Sequence, residues 1–144
     1  MKKIITIALS LLLSLFALVG CGEAEFDYTE TVVKLEENGY VQTVKYDTRA
    51  QIDYISSQLN EKIKANGEDL WVSVQRYAPF VMTNDSSLYC RLIEFATEEQ
   101  AQGYAKFYLA TRPEGSADTI AQRDNAVVIT NAANVRKNLN LEFK

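Results

Sequence analysis

Close to its start the chain carries a long apolar stretch. From Ile4 to Val19 only Thr6, Ser10 and Ser14 interrupt it. Beyond that run the pattern becomes periodic, and the periods predict elements. Glu30–Glu37 and Tyr40–Tyr46 flank Asn38-Gly39, a dipeptide suited to the type I′ turn of a two-residue β-hairpin. In that register Val33 faces Val44, Leu35 faces Gln42, and Val33, Leu35, Tyr40, Val44 and Tyr46 share a buried face. A helix follows, because Ile52, Ile55, Leu59 and Ile63 recur at spacings of three and four. Thr48 with Gln51 forms a capping box at its start, and Asn66-Gly67 stops it. Its opposite face, with Asp53, Ser56, Asn60, Lys62 and Lys64, is expected to be wet.

Two β-rich segments come next, Asp69–Tyr77 and Leu88–Phe95, with Phe80–Met82 extending the first past Pro79 and a turn over Asn84–Ser87. A second helix starts at Thr97, where Gln100 stands three residues on and Glu98 and Glu99 favour the positive end of the helix dipole. Ala101, Tyr104, Ala105 and Tyr108 give it one apolar stripe, and Pro113 and Gly115 end it. Asp118–Arg123 and Ala126–Thr130 predict a closing strand or a second hairpin about Asp124-Asn125. Asn131 is placed to cap a short terminal helix carrying Val135 and Leu139. From Tyr40 the order is βαββαβ, that of a ferredoxin-like split βαβ unit. The expected fold is thus α+β: a two-layer sandwich with an antiparallel sheet, helices on one face, an extra N-terminal hairpin strand and a short C-terminal helix.

The opening apolar run has a specific ending. Lys2 and Lys3 precede it, and it is shorter than the about 20 apolar residues of a spanning helix, which describes a secretory leader. Leu18-Val19-Gly20-Cys21 then resembles the bacterial lipobox, and the element order resembles that of many small bacterial lipoproteins of unassigned function. The resemblance implies cleavage before Cys21 by a type II signal peptidase and attachment of lipid, palmitate among its acyl chains, to the Cys21 sulfur. It implies a domain held at the cell membrane on the extracytoplasmic side. An outer membrane is open to it where the host has one, since Gly22 rather than Asp follows Cys21. The expected organisation is a signal peptide over 1–20, an acidic tether over 21–29 and a single α+β domain over 30–144.

Composition narrows the chemistry. Of 144 residues, 15 are basic and 19 acidic. Without Lys2 and Lys3 the exported part has 13 basic side chains against 19 acidic ones and a net charge of −6. That excludes nucleic acid as an expected partner, since phosphate neutralisation needs clustered Lys and Arg. With no His in the chain, imidazole-ligated zinc and Ser-His or Cys-His nucleophiles are excluded. Of the two Cys, Cys21 is assigned to lipid, which leaves Cys90 without an intrachain partner. Cys90 lies in a predicted strand with Arg91 on the opposite face, and is expected to be a buried, inert thiol. The pairs Glu36-Glu37 and Glu98-Glu99 read as a solvated turn and a helix start. Asn84–Ser87 lacks the later Gly and Glu of a calcium loop, and the six Gly form no phosphate loop. No catalytic residue, metal site or cofactor is expected.

One set of side chains suggests an interaction face. If Leu70, Val72 and Val74 face the helices, Trp71 and Tyr77 lie on the other side of the sheet with Tyr89 and Arg91 of the partner strand. Amphipathic aromatics with a guanidinium suit an envelope protein partner, or a glycan whose rings stack on them. Against this, both faces of Leu88–Phe95 are apolar, which favours covering that face by the hairpin, the terminal helix or a second copy. The expected function is a lipid-anchored, non-enzymatic binding or protein-interaction domain. The alternatives are a small cell-envelope hydrolase using Asp and Glu carboxylates, and an envelope structural or inhibitory protein acting through the Trp71 face. Lipidation has a direct check: Cys21→Ala abolishes metabolic labelling by a palmitate analogue, and persistent labelling rules out the lipobox.

Overall fold

The computed structural model describes residues 25–144. The leader and the lipobox Leu18-Val19-Gly20-Cys21 lie outside the described residues. Asp27 begins the first element: its side chain accepts from the Glu30 amide at 2.8 Å and caps helix α1, Tyr28–Glu37. Tyr28, Thr31 and Leu35 are buried at helical spacing. The expected hairpin strand over 30–37 is therefore a helix, and the expected tether over 21–29 gives way to this helix at its C-terminal end. The reason lies at Asn38-Gly39. A type I′ turn needs positive φ at both residues, but Asn38 has φ −91° and only Gly39 is left-handed, at +82°. The dipeptide is a helix stop, with the Gly39 amide donating to the Glu36 carbonyl at 3.0 Å. What remains of the second hairpin strand is β1, Tyr40–Gln42.

The middle of the chain follows its pattern. Helix α2, Arg49–Ala65, carries the Thr48–Gln51 capping box, buries Ile52 and Ile63, and ends at Asn66. Strands β2, Val74–Met82, and β3, Asp85–Phe95, form an antiparallel hairpin. Pro79 is tolerated inside β2 because its missing N–H falls where β1 runs out. Its carbonyl already turns to that side, accepting from the Thr43 amide at 3.0 Å. Helix α3, Glu98–Thr111, is capped by Thr97. Strands β4, Thr119–Arg123, and β5, Ala126–Thr130, are the second hairpin, turning at Asp124 with φ 49°. Helix α4, Ala133–Asn138, closes the order. Asn131, expected as its cap, instead accepts from the Tyr89 amide and donates to the Ser87 carbonyl, so Ala132 stands at the cap position.

The five strands make one open sheet in the order β1-β2-β3-β5-β4, with every neighbour antiparallel. The fold is α+β, as expected, with both long helices on one face. Ile52 and Ile63 of α2 and Ala101, Tyr104, Phe107 and Tyr108 of α3 bury Val74, Ile93, Phe95, Ile120, Val127 and Ile129 there. The second face is not bare. Tyr28 and Leu35 of α1, Val135 of α4 and the tail residues Leu141 and Phe143 cover Ala78, Phe80, Cys90, Leu92 and Val128. Arg76 joins α1 to the sheet, its guanidinium 4.1 Å from the Tyr28 ring centroid and ion-paired with its cross-strand neighbour Glu94.

The helical form of residues 28–37 separates two neighbouring apolar side chains. Val33 is 45% exposed and Leu35 is 1% exposed. Val33→Lys is expected to change unfolding stability by at most about 0.5 kcal/mol. Leu35→Ala costs about 2–5 kcal/mol by leaving a cavity. Urea unfolding measures both; a hairpin that buried Val33 would lose stability at both positions.

Candidate functional site

The aromatic set expected on one open face is divided by the structure. A register irregularity in β2 between Val74 and Arg76 shifts side-chain alternation by one position. Val74 and Tyr77 therefore both pack into the core beneath α2 and α3. Tyr77, Tyr89 and Arg91 do share a side of the sheet, but it is the side that the long helices cover. Trp71 is not with them. It precedes β2 and stands 71% exposed beside α2.

Arg91 lies in a network of phenols and one carboxylate. Its Nη2 is 3.5 Å from the Tyr89 hydroxyl, 3.4 Å from the Tyr108 hydroxyl and 3.9 Å from Asp118 Oδ2. Tyr108 donates to Asp118 Oδ2 at 2.6 Å. Arg112 donates to the Asp118 carbonyl at 2.8 Å, and Tyr46 meets Tyr77 edge-on with centroids 5.2 Å apart. Burial, then the hydrogen bond to Asp118, holds the Tyr108 phenol above its ordinary range. Burial pushes the Asp118 carboxyl up, but hydrogen bonds from Tyr108 and Tyr89 and the charges of Arg91 and Arg112 outweigh it, so its pKa is lowered. The phenols stay protonated and the carboxylate stays ionised at neutral pH. This chemistry ties α3 and the start of β4 to β3. A shallow groove of about 290 Å³ beside it is lined by Thr43, Pro79, Phe80, Val81, Tyr89 and Arg91.

Trp71 is built differently. Asn60, in the second half of α2, donates from its side-chain amide to the Val72 carbonyl at 2.8 Å and accepts from the Val72 amide at 2.8 Å. Ser56 accepts from the Val74 amide at 2.9 Å, and Gln100 of α3 accepts from the Ser73 amide at 2.9 Å. Ser56 and Asn60 are therefore not on a wet face. They stand four residues apart and serve backbone groups of the chain entering β2, which three-residue β1 is too short to reach. Val72, wholly buried, and Leu70, packed against Gly103, anchor the segment on either side of Trp71. The indole stands at a groove of about 220 Å³ whose other lining residues are Ser57, Asn60, Glu61 and Lys64. Asn60 went unrecognised in the sequence, where its signal was an amide of modest helix propensity inside an otherwise regular helix.

The remaining candidates do not converge. Cys90 is buried on the α1 face with its thiol pushed up to about 12 by burial. Glu36 and Glu37 are exposed at the end of α1, and Glu98 and Glu99 occupy the first turn of α3. Among the described residues no group of three or more Cys, Asp or Glu is placed to hold a metal ion.

The Asp118 network has a pH signature. A lowered carboxyl pKa contributes stability that is present above the ordinary value of 3.8 and lost as pH falls through the depressed one. Asp118→Asn is therefore expected to be less stable than wild type at neutral pH, with the gap closing below about pH 3.8. Urea titrations at neutral and acid pH measure it; a gap that does not change with pH would show that the carboxylate charge carries no stability. No family model matches the chain, and no curated protein or solved structure matches it.

Proposed function

We propose that this protein is a lipid-anchored extracytoplasmic binding domain, tethered through Cys21 and engaging its partner at Trp71. The leader and the lipobox residues Leu18-Val19-Gly20-Cys21 support the anchor. The Phe26 amide donates to Asp124 Oδ2 at 2.6 Å, so the start of α1 is fastened to the β4–β5 turn. From Cys21 to Asp27 the chain spans at most about 20 Å at 3.3–3.6 Å per residue. An anchored domain would thus keep that end toward the membrane. Its net charge of −6 favours standing off anionic lipid rather than lying on it.

The observation that carries the binding reading is the contrast between the Trp71 indole and its backbone. An indole left 71% in water forgoes about 3 kcal/mol that burial of its apolar surface would bring. The same residue is flanked by Val72 at 0% exposure and held through the buried Asn60. A side chain fixed at its root and bare at its tip loses little conformational freedom on contact, which is how aromatic anchors at binding surfaces act.

A photo-crosslinking residue in place of Trp71, in intact cells, is expected to form an adduct that the same residue at exposed Glu36 does not. Equal yields at both positions, or none at position 71, would overturn the binding reading.

A further inference from the structure

We infer that the Trp71 groove is a subsite for a neutral sugar ring, so that the ligand is an oligosaccharide lying along the outer face of α2. The inference rests on the binding reading above and names its ligand class. Ser57, Glu61 and Lys64 follow one another at spacings of four and three and line the groove together with the indole. Among the described residues none of these three side chains forms a hydrogen bond or ion pair. They present a hydroxyl, a carboxylate acceptor and an ammonium donor, all unspent.

The rim sums to zero charge. The charges of Glu61 and Lys64 offset each other, so a ligand of either sign gains no net electrostatic attraction at the site. A neutral ligand meets only donors and acceptors. The lining includes the exposed Trp71 indole, an aromatic surface that favours contact with an apolar one. A pyranose has both features in one ring: an apolar face of axial C–H groups and a perimeter of hydroxyls that both donate and accept. Size agrees. At about 220 Å³ the groove is smaller than the roughly 300–1,000 Å³ pockets that enclose drug-sized ligands. It holds one ring and leaves the neighbouring rings of a chain outside. Tyr54, 60% exposed and one turn before Ser57, offers a second aromatic surface in the same row.

The chain contains a single Trp, so its fluorescence reports this site alone. Full-length protein in a zwitterionic detergent, free of glycoside headgroups, is titrated with the tetrasaccharides of β-1,4-linked N-acetylglucosamine, β-1,4-linked glucose and α-1,4-linked glucose. A saturable blue shift with at least one of them is expected, weaker with the matching monosaccharide. Ser57→Ala and Glu61→Gln retain the fluorophore and alter exposed side chains only. Each is expected to weaken binding roughly fivefold to tenfold, Ser57→Ala by deleting a hydrogen bond and Glu61→Gln by replacing a charged acceptor with a weaker neutral one, and Trp71→Ala to abolish it in ligand-observed NMR. No saturable change with any of the three sugars overturns the assignment, as does unchanged affinity in the Ser57→Ala/Glu61→Gln double variant. A blue shift that grows with protein concentration alone, with dimers in sedimentation, also overturns it and assigns the groove to a second copy. If the sugars fail while the position-71 adduct persists, the sugar assignment falls and the binding reading stands. If both fail, neither stands.

Discussion

Cys90 and Leu92 on one side of β3, and Ile93 and Phe95 on the other, are each at 2% exposure or less, so the central strand is covered twice. A sheet with this strand at its middle cannot leave one face to water without exposing a row of large apolar side chains. The long helices α2 and α3 account for one face. The other needs its own cover, and the chain supplies it from its ends: α1 before the first strand, α4 and the tail after the last. The N-terminal helix follows from that demand. A hairpin there would have lengthened the sheet at its β1 edge and left Ala78, Phe80 and Cys90 without the layer that Tyr28 and Leu35 provide.

The cost of making α1 a helix falls on β1, which keeps only three residues. The segment entering β2 has β3 on one side, where the Ala96 amide donates to the Ser73 carbonyl, but no strand on its β1 side, and its backbone groups at Val72 and Val74 turn to Asn60 and Ser56 of α2. A side-chain amide that both gives and takes a hydrogen bond reproduces one rung of a sheet ladder. This substitution holds Trp71 at the margin of the fold. Its neighbours are drawn inward, and its own side chain has nowhere to pack but against polar residues of α2.

The polar clusters on the two flanks of the α2–β2 unit have different fates. Around Arg91 the partners are internal: phenols and a carboxylate surround Nη2, the buried Nε has no hydrogen-bond partner among the described residues, and the cluster joins α3 to β3. Around Trp71 they are not, and Ser57, Glu61 and Lys64 keep their hydrogen-bonding capacity beside an exposed ring. An internal cluster lends itself to stability and an exposed one to recognition. That distinction, more than residue type, separates the two halves of the aromatic set.

Local signals made much of this legible. Thr48 with Gln51, Thr97 with Gln100, and Gly67 announce helix ends because capping is settled within a few residues. The stripes of α2 and α3 and the apolar and aromatic runs of β2, β3 and β5 announce their elements because burial imposes a period. The α+β class, the antiparallel sheet and the two long helices on one face were therefore determined by the sequence itself. Residues 28–37 were not, since Thr31, Val33 and Leu35 satisfy a strand's alternation while Tyr28, Thr31 and Leu35 satisfy a helix; only the uncovered face of β3 chooses between them. Nor was the company of Trp71 legible. One irregularity beside Val74 shifts the alternation that pattern reading carries along the strand, sending Tyr77 under the helices and leaving Trp71 outside. Such a shift is set by how β2 fits against β3 and α2, contacts between residues far apart in the chain, and tertiary structure alone decides it.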